Sequence, residues 1–451
     1  MTVALDLDDI QAGCLRGRPN PYFGAFMALR IGNPVDGRTL MRRLAEVVHS
    51  AADVLDPRRS RTFSVGLTAT GLRALGVPDE LLATFAPEFV QGMAARANEL
   101  GDHGTNAPDH WEEPWGREDV HAIIVLLAPD QSAFEETLES SREVLDGLPG
   151  IGRVWRQDVR GDADGRNSFG FNDGISQPAV ESSGIPGTNP GEVPLKPGEF
   201  VLGYPDETGS VAAIPQPETL GRNGSYLAVR KLYTDVAAFR RYLRERAESP
   251  AEEALMAAKI VGRWPSGAPL ALTPDVDDHE LGADPERNND FMYGDDPRGL
   301  SSPVGSHARR MNPRDAVVTG EVRLHRLLRR GATYGPPLGE GVLEDDGADR
   351  GLLFAAVFAH PARQFEFVQK QWIGDGKFIG SPIEADPLVA GRDAGDQFTV
   401  PMRPVRKRLT EMPAFVVNRG GEYCFVPSLS ALRWLGALDS NERFPTSGER
   451  S

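Results

Sequence analysis

Cysteine is almost missing from this chain: Cys14 and Cys424 are the only two in 451 residues. With no paired spacing, neither a disulfide framework nor a zinc ribbon is signalled, and both are expected to be plain buried thiols. No apolar run approaches the roughly 20 residues that cross a bilayer. The stretch Met1 to Asp9 also lacks the basic start and apolar core of a secretory signal. The expectation is a cytoplasmic protein with no membrane partner. Positive charge is short as well: 49 Lys and Arg stand against 65 Asp and Glu, a net charge of −16. That balance argues against a phosphate-backbone partner, so no nucleic acid is expected. A GxSxG elbow and an HExxH helix are both absent, and His279-Glu280 lacks the second His that zinc would require. Hydrolase readings therefore fare poorly.

What the chain does have is the composition of a globular enzyme, 40% hydrophobic and 25% charged. Its length exceeds one typical core, so two domains or one duplicated domain are expected. Apolar strand patterns at Phe23 to Ile31 and Thr62 to Leu67 flank a helix carrying Leu40, Leu44, Val47 and Val48 on one face. A strand at Val120 to Leu127, a helix from Ser132 to Leu145 and a strand at Ile151 to Arg156 follow. That order is β-α-β-β-α-β, the ferredoxin-like unit. The second half repeats it with strand Ser225 to Leu232, helix Thr234 to Arg246, strand Val322 to Leu328, strand Leu352 to Phe358, helix Arg363 to Trp372 and strand Tyr423 to Val426. The fold expected is α+β, two such units with antiparallel sheets: an amino-terminal domain over 1–160, a connecting segment over 161–198 and a carboxyl-terminal domain over 199–451. A single mixed α+β domain is the alternative. The tail from Ser440, rich in small and polar residues, is expected to fray.

Three segments carry chemistry. In Gly170-Phe171-Asn172-Asp173-Gly174 an acid is fixed between two glycines, which permit tight backbone geometry and close approach of a ligand. Read alone this is a turn or a proton-transfer site. In Pro303-Val304-Gly305-Ser306-His307-Ala308-Arg309-Arg310-Met311-Asn312-Pro313-Arg314-Asp315 one His sits among arginines. A neutral imidazole there could give a lone pair to a metal, and guanidinium groups suit the carboxylates of a cofactor. The bland alternative is a surface loop. The third segment, Arg326-Leu327-Leu328-Arg329-Arg330-Gly331-Ala332-Thr333-Tyr334-Gly335, is an apolar run ending in paired arginines and a glycine. The stretches 162–197 and 274–319, which hold Asp173 and His307, are long enough to read as functional insertions.

Taken in order, these segments resemble the dye-decolourising peroxidases, a family of haem enzymes. The likeness extends to Asp8-Asp9-Ile10-Gln11-Ala12-Gly13 with Leu15-Arg16-Gly17, to Phe365-Glu366-Phe367-Val368-Gln369-Lys370-Gln371-Trp372 and to Gly420-Gly421-Glu422-Tyr423-Cys424-Phe425-Val426-Pro427. The resemblance implies one b-type haem per chain, held mainly by the second half, with His307 as the proximal iron ligand. Asp386 is the carboxylate chosen to support that imidazole, with Asp396 as the alternative. Arg309, Asn312 and Arg314 are candidates for the haem propionates or for bracing the proximal loop. Asp173 is implied as the acid/base for hydrogen peroxide, and Arg329 as the cation that stabilises heterolysis. Arg330, one position on in a strand, should face away. Some relatives carry Asn where this chain has Gly331. A small-molecule reducing substrate such as a dye or phenol is expected, with a homo-oligomer left open. Trp372 and Tyr334 are candidate sites for oxidising bulky substrates at the surface, unless they belong to the core. The rival function is haem handling without turnover, as carrier, sensor or iron-release protein, which needs His307 but neither Asp173 nor Arg329.

Overall fold

The apolar runs form one nine-stranded antiparallel sheet, seen in a computed structural model that describes residues 4–438 except 55, 57–59, 190, 319, 378–379, 381–382 and 392–395. The tail from Ser440 lies outside the described residues. In the first half, β1 (Tyr22–Ile31), β2 (Thr62–Leu67), β3 (Ala122–Ala128) and β4 (Ile151–Gly161) lie in the order β4-β1-β3-β2. In the second half β5 (Ser225–Thr234), β6 (Leu328–Arg329), β7 (Ala332–Tyr334), β8 (Gly351–Phe358) and β11 (Val416–Val426) give β11-β5-β8, with β6 and β7 both on β8. A separate hairpin pairs β9 (Phe398–Val400) with β10 (Lys407–Leu409). The same strand order occurs twice, so the duplicated ferredoxin-like expectation is met. The halves join edge to edge where Leu67 of β2 meets Phe425 of β11. At the far seam β7 comes against β4, and the Thr333 amide donates to the Tyr22 hydroxyl at 2.8 Å. The sheet thus curls towards a barrel, and the core on its two faces includes Phe26, Val65, Ile124, Ala355 and Phe425.

Helices start where side chains can satisfy their first amides. Asn33 accepts from the Asp36 amide to open Pro34–Val47, Asp130 from Ala133 to open Gln131–Leu145, and Asp235 from Ala238 to open Val236–Arg246. A further helix, Pro250–Val261, was not expected; it opens on Ser249 and closes on Gly262 at φ 95°.

Two second-half elements differ from expectation. Val322–His325 is a tight 3₁₀ turn, and only Leu328–Arg329 pairs as strand. The reason is that the Arg326 carbonyl is taken by the Gln364 side chain at 2.8 Å, leaving no ladder to extend. The helix expected over Arg363 to Trp372 forms as two π-helical segments, Ala362–Glu366 and Val368–Ile373, with bonds such as Glu366 N to Pro361 O at 3.0 Å. Such wide turns are unusual and cluster at functional sites. Among the described residues no helix is long and apolar enough to cross a membrane. Cys14 and Cys424 are buried and unpaired, with burial pushing the Cys14 thiol up to about 11.

The amino-terminal motif is structural. Gln11 is fully buried; its amide donates to Val65 O at 3.0 Å and Pro427 O at 2.7 Å and accepts from Val65 N at 2.9 Å. It therefore ties both halves of the sheet together. Gln11→Leu leaves these backbone groups unpaired, at an expected cost on the order of 2 kcal/mol. Urea unfolding should show it as a lower midpoint at unchanged slope.

Candidate active site

Alternation along the strands sets which side chains face the site. Arg230, Leu232 and Thr234 of β5, Leu352 and Phe354 of β8, and Val416 and Asn418 of β11 point out of the barrel to form the floor of a cavity of about 580 Å³. That volume lies within the range of small-molecule and cofactor pockets. The insertion loops and π-helical turns supply its walls.

On one wall stands Asp173. Gly170 (φ 90°) and Gly174 (φ 82°) occupy left-handed backbone that disfavours other residues. Between them the chain is pinned by Asn172 N to Pro265 O at 3.1 Å and Asp173 N to Gly165 O at 2.9 Å, with Phe171 buried beneath. The Gly174 amide donates to Asp173 Oδ1 at 2.7 Å. Arg329 Nη1 lies 4.0 Å from Oδ1 and Arg18 Nη2 lies 3.8 Å from Oδ2. Burial pushes the Asp173 carboxyl up, but Arg18, Arg329 and the Gly174 amide outweigh it and hold it below its ordinary value. Arg329 is anchored by Nη2 to Ser176 O at 2.7 Å, and Gln177 brackets its backbone. Arg330 turns the other way to donate to Gly13 O at 3.0 Å. At Gly331 a Cβ would come within 2.7 Å of Leu353 O, so a larger residue there would require β8 to move.

Across the cavity stands His307, the first residue of the short helix His307–Met311. Its Nδ1 lies 2.9 Å from Asp386 Oδ2. Since an ionised carboxylate only accepts, Nδ1 carries a proton, and the tautomer this selects in a neutral ring leaves the Nε2 lone pair free. Asp386 is buried, which pushes it up, yet His307 and Arg310 hold it below its ordinary value. Its Oδ1 accepts from the Leu388 and Val389 amides at 2.9 and 3.0 Å. Asp396 lies near Tyr242 instead.

The arginines of the loop divide their work. Arg309 donates to Ser302 O and Asp296 O, both at 2.8 Å, and lies over the Tyr293 ring, so it braces the loop. Arg310 is fully buried and donates to Gly305 O, Trp372 O and Glu384 O, riveting the loop to the segment that carries Asp386. Arg314 and Asn312 do line the cavity, and Asn312 Oδ1 is a buried acceptor without a partner among the described residues. Among the described residues Arg314 donates to neutral acceptors, Asn289 Oδ1 at 2.5 Å, Phe291 O at 2.8 Å and Asn289 O at 3.1 Å. Arg263, which sequence reasoning missed, joins it on Asn289 Oδ1 at 2.9 Å, and both guanidiniums lie over the Phe291 ring. Arg230 on the floor, by contrast, is neutralised by Asp102 at 3.0 and 2.5 Å. Arg18 was missed too; its only sequence signal was proximity to Leu15-Arg16-Gly17. Trp372 and Tyr334 are 0% and 1% exposed, so neither offers a ring at the surface and both belong to the core.

The slot therefore has apolar walls such as Val261, Leu388 and Ile373, an imidazole on one side, and a cationic end where, among the described residues, Arg263 and Arg314 hydrogen-bond neutral oxygens and make no direct ion pair. That donor set fits a flat apolar macrocycle bearing carboxylates and a metal that takes nitrogen.

Comparison with known proteins points the same way. The family model described as the DyP dimeric alpha+beta barrel domain matches residues 9–148. The dye-decolorizing peroxidase msp1 of Mycetinis scorodonius is 31% identical over 465 residues, covering 96% of this chain and 88% of that protein. An ancestral D-type dye-decolorizing peroxidase superposes with a TM-score of 0.84 at 31% identity, over 97% of this chain and 100% of its own. A dye-decolorizing peroxidase solved in complex with 2,6-dimethoxyphenol gives a TM-score of 0.83 at 29% identity, over 96% of this chain and 100% of its own.

Proposed function

The chain belongs to the dye-decolourising peroxidases, a family of haem enzymes, and from that premise we propose that it carries one b-type haem and reduces hydrogen peroxide at the expense of dyes, phenols or other small one-electron donors. His307 Nε2 would hold the iron, with Asp386 fixing the ring and raising its basicity. Arg314, Arg263 and Asn312 would meet the propionates. When bound, the haem would supply the redox chemistry that couples peroxide reduction to oxidation of the donor. Asp173, ionised, takes a proton from the nearer peroxide oxygen and returns it to the departing one. Arg329 stabilises the negative charge that develops there. A cytoplasmic location belongs to the same reading and is checked by cell fractionation.

One observation carries the reading: a carboxylate set between two guanidiniums faces the same cavity as an imidazole backed by a buried aspartate. A carrier needs only the second of these. The test is peroxide-driven oxidation of an anthraquinone dye by wild type, Asp173→Asn and Arg329→Leu, with absorption spectra of each. Haem retained with turnover lost supports the roles; undiminished rates in both variants overturn them.

Two further outcomes follow. Because Asp173 is held below the usual carboxylate range, the base is lost only as pH falls through that lowered value. Turnover should persist at about pH 4, and a profile collapsing below about 6 would count against Asp173 as the base. Asp386→Asn should weaken haem retention by roughly 10–100-fold, read by competition with apomyoglobin.

A further inference from the structure

We propose that Arg18 is a positioning residue for the distal carboxylate: the first half of the chain supplies a second guanidinium that, with Arg329, holds Asp173 ionised and aimed into the cavity. The proposal rests on Asp173 being the proton-transfer group of the reading above. The two cations flank the carboxylate, Arg18 Nη2 at 3.8 Å from Oδ2 and Arg329 Nη1 at 4.0 Å from Oδ1. Both distances exceed a hydrogen bond. The guanidiniums therefore act through charge, without occupying the lone pair that must receive the proton. A direct bidentate pair would block that lone pair.

Arg18 is built to stay where it is. Its Nη1 donates to Gly331 O at 3.1 Å and its guanidinium lies over the Tyr22 ring at 4.9 Å. Tyr22 in turn accepts from the Thr333 amide at 2.8 Å. The side chain is 19% exposed against 41% for Arg329, so Arg18 is the better shielded of the two. The charged or titratable groups facing Asp173 are Arg18 from the amino-terminal segment, Arg329 from β6 and His307 from across the cavity; the Gly174 amide adds one donor. Closing the sheet at the β4 and β7 seam is thus what completes the distal group.

The experiment uses the haem-loaded enzyme and reads the rate constant for reaction with peroxide against pH by stopped flow, together with the pH dependence of cyanide binding. Arg18→Gln keeps a donor for Gly331 O but loses the charge. Its acid-limb midpoint should rise by about one pH unit, making the variant about tenfold slower below the limb. Cyanide binding should shift in parallel. Arg18→Lys, which keeps the charge on a differently shaped arm, should move the midpoint less and in the same direction. An unmoved midpoint in Arg18→Gln, or in the equally uncharged Arg18→Met where glutamine prevents folding, overturns the proposal. Asp173→Asn separates the two readings: a wild-type rate in that variant removes the underlying assignment whatever the Arg18 variants do.

Discussion

Asp173→Asn is expected to slow the reaction with hydrogen peroxide by about 10²–10⁴-fold, the range of general acid–base catalysis, while haem stays bound. The amide matches the carboxylate in shape, and its oxygen still accepts from the Gly174 amide now at 2.7 Å. What it lacks is a site that can gain a proton at one oxygen and release it at the next. The residual rate should be independent of pH, since the titrating group is gone, whereas wild type keeps an acid limb, so the loss narrows as pH falls through that limb. Arg329→Leu should cost less, about 10²–10³-fold, because it removes charge stabilisation and leaves the base in place. Asparagine also leaves Arg18 and Arg329 facing each other without the anion between them. A fall in melting temperature is therefore expected beside the kinetic loss. Stopped-flow traces at the Soret band give the rates; a variant within twofold of wild type would refute the role.

The fold was legible where period and caps agreed. Thr62–Leu67 forms as expected because its apolar run is buried on both faces between β3 and β11. The helix Pro250–Val261 carries its own start and stop signals in Ser249, Pro250, Glu252 and Gly262. Val322–His325 was not legible, because the group that ends its ladder is the side chain of Gln364, far along the chain. In the site, Asp173, Arg329 and His307 were marked by local motifs. Arg18 and Arg263 were not, since their roles depend on chain closure and on the shared partner Asn289. The choice between Asp386 and Asp396 likewise depended on Arg310 and on the Asp386 amide, which bonds Ile373 O at 2.8 Å and sets that segment beside the imidazole.

His307→Ala should abolish haem retention, a larger effect than the roughly 10–100-fold expected for Asp386→Asn, because it removes the proposed ligand itself. The measurement is Soret absorbance per chain after supplementing with haem and desalting. Two physical effects are mixed in that variant. Alanine removes the lone pair, and it also strips Asp386 of the donor at 2.9 Å while the carboxylate stays buried. Among the described residues, the Leu388 and Val389 amides and the nearby Arg310 charge then support it. The protein without haem should therefore lose stability too, on the order of 1–3 kcal/mol for a buried charged group left short of a partner. His307→Gln separates the two effects, since its amide can donate to Asp386 but gives iron no imidazole nitrogen. Stability near wild type with haem absent assigns His307 to the metal. Haem retained at wild-type occupancy by both variants would place the ligand elsewhere, and exogenous imidazole restoring the Soret band in His307→Ala would place it back at this position.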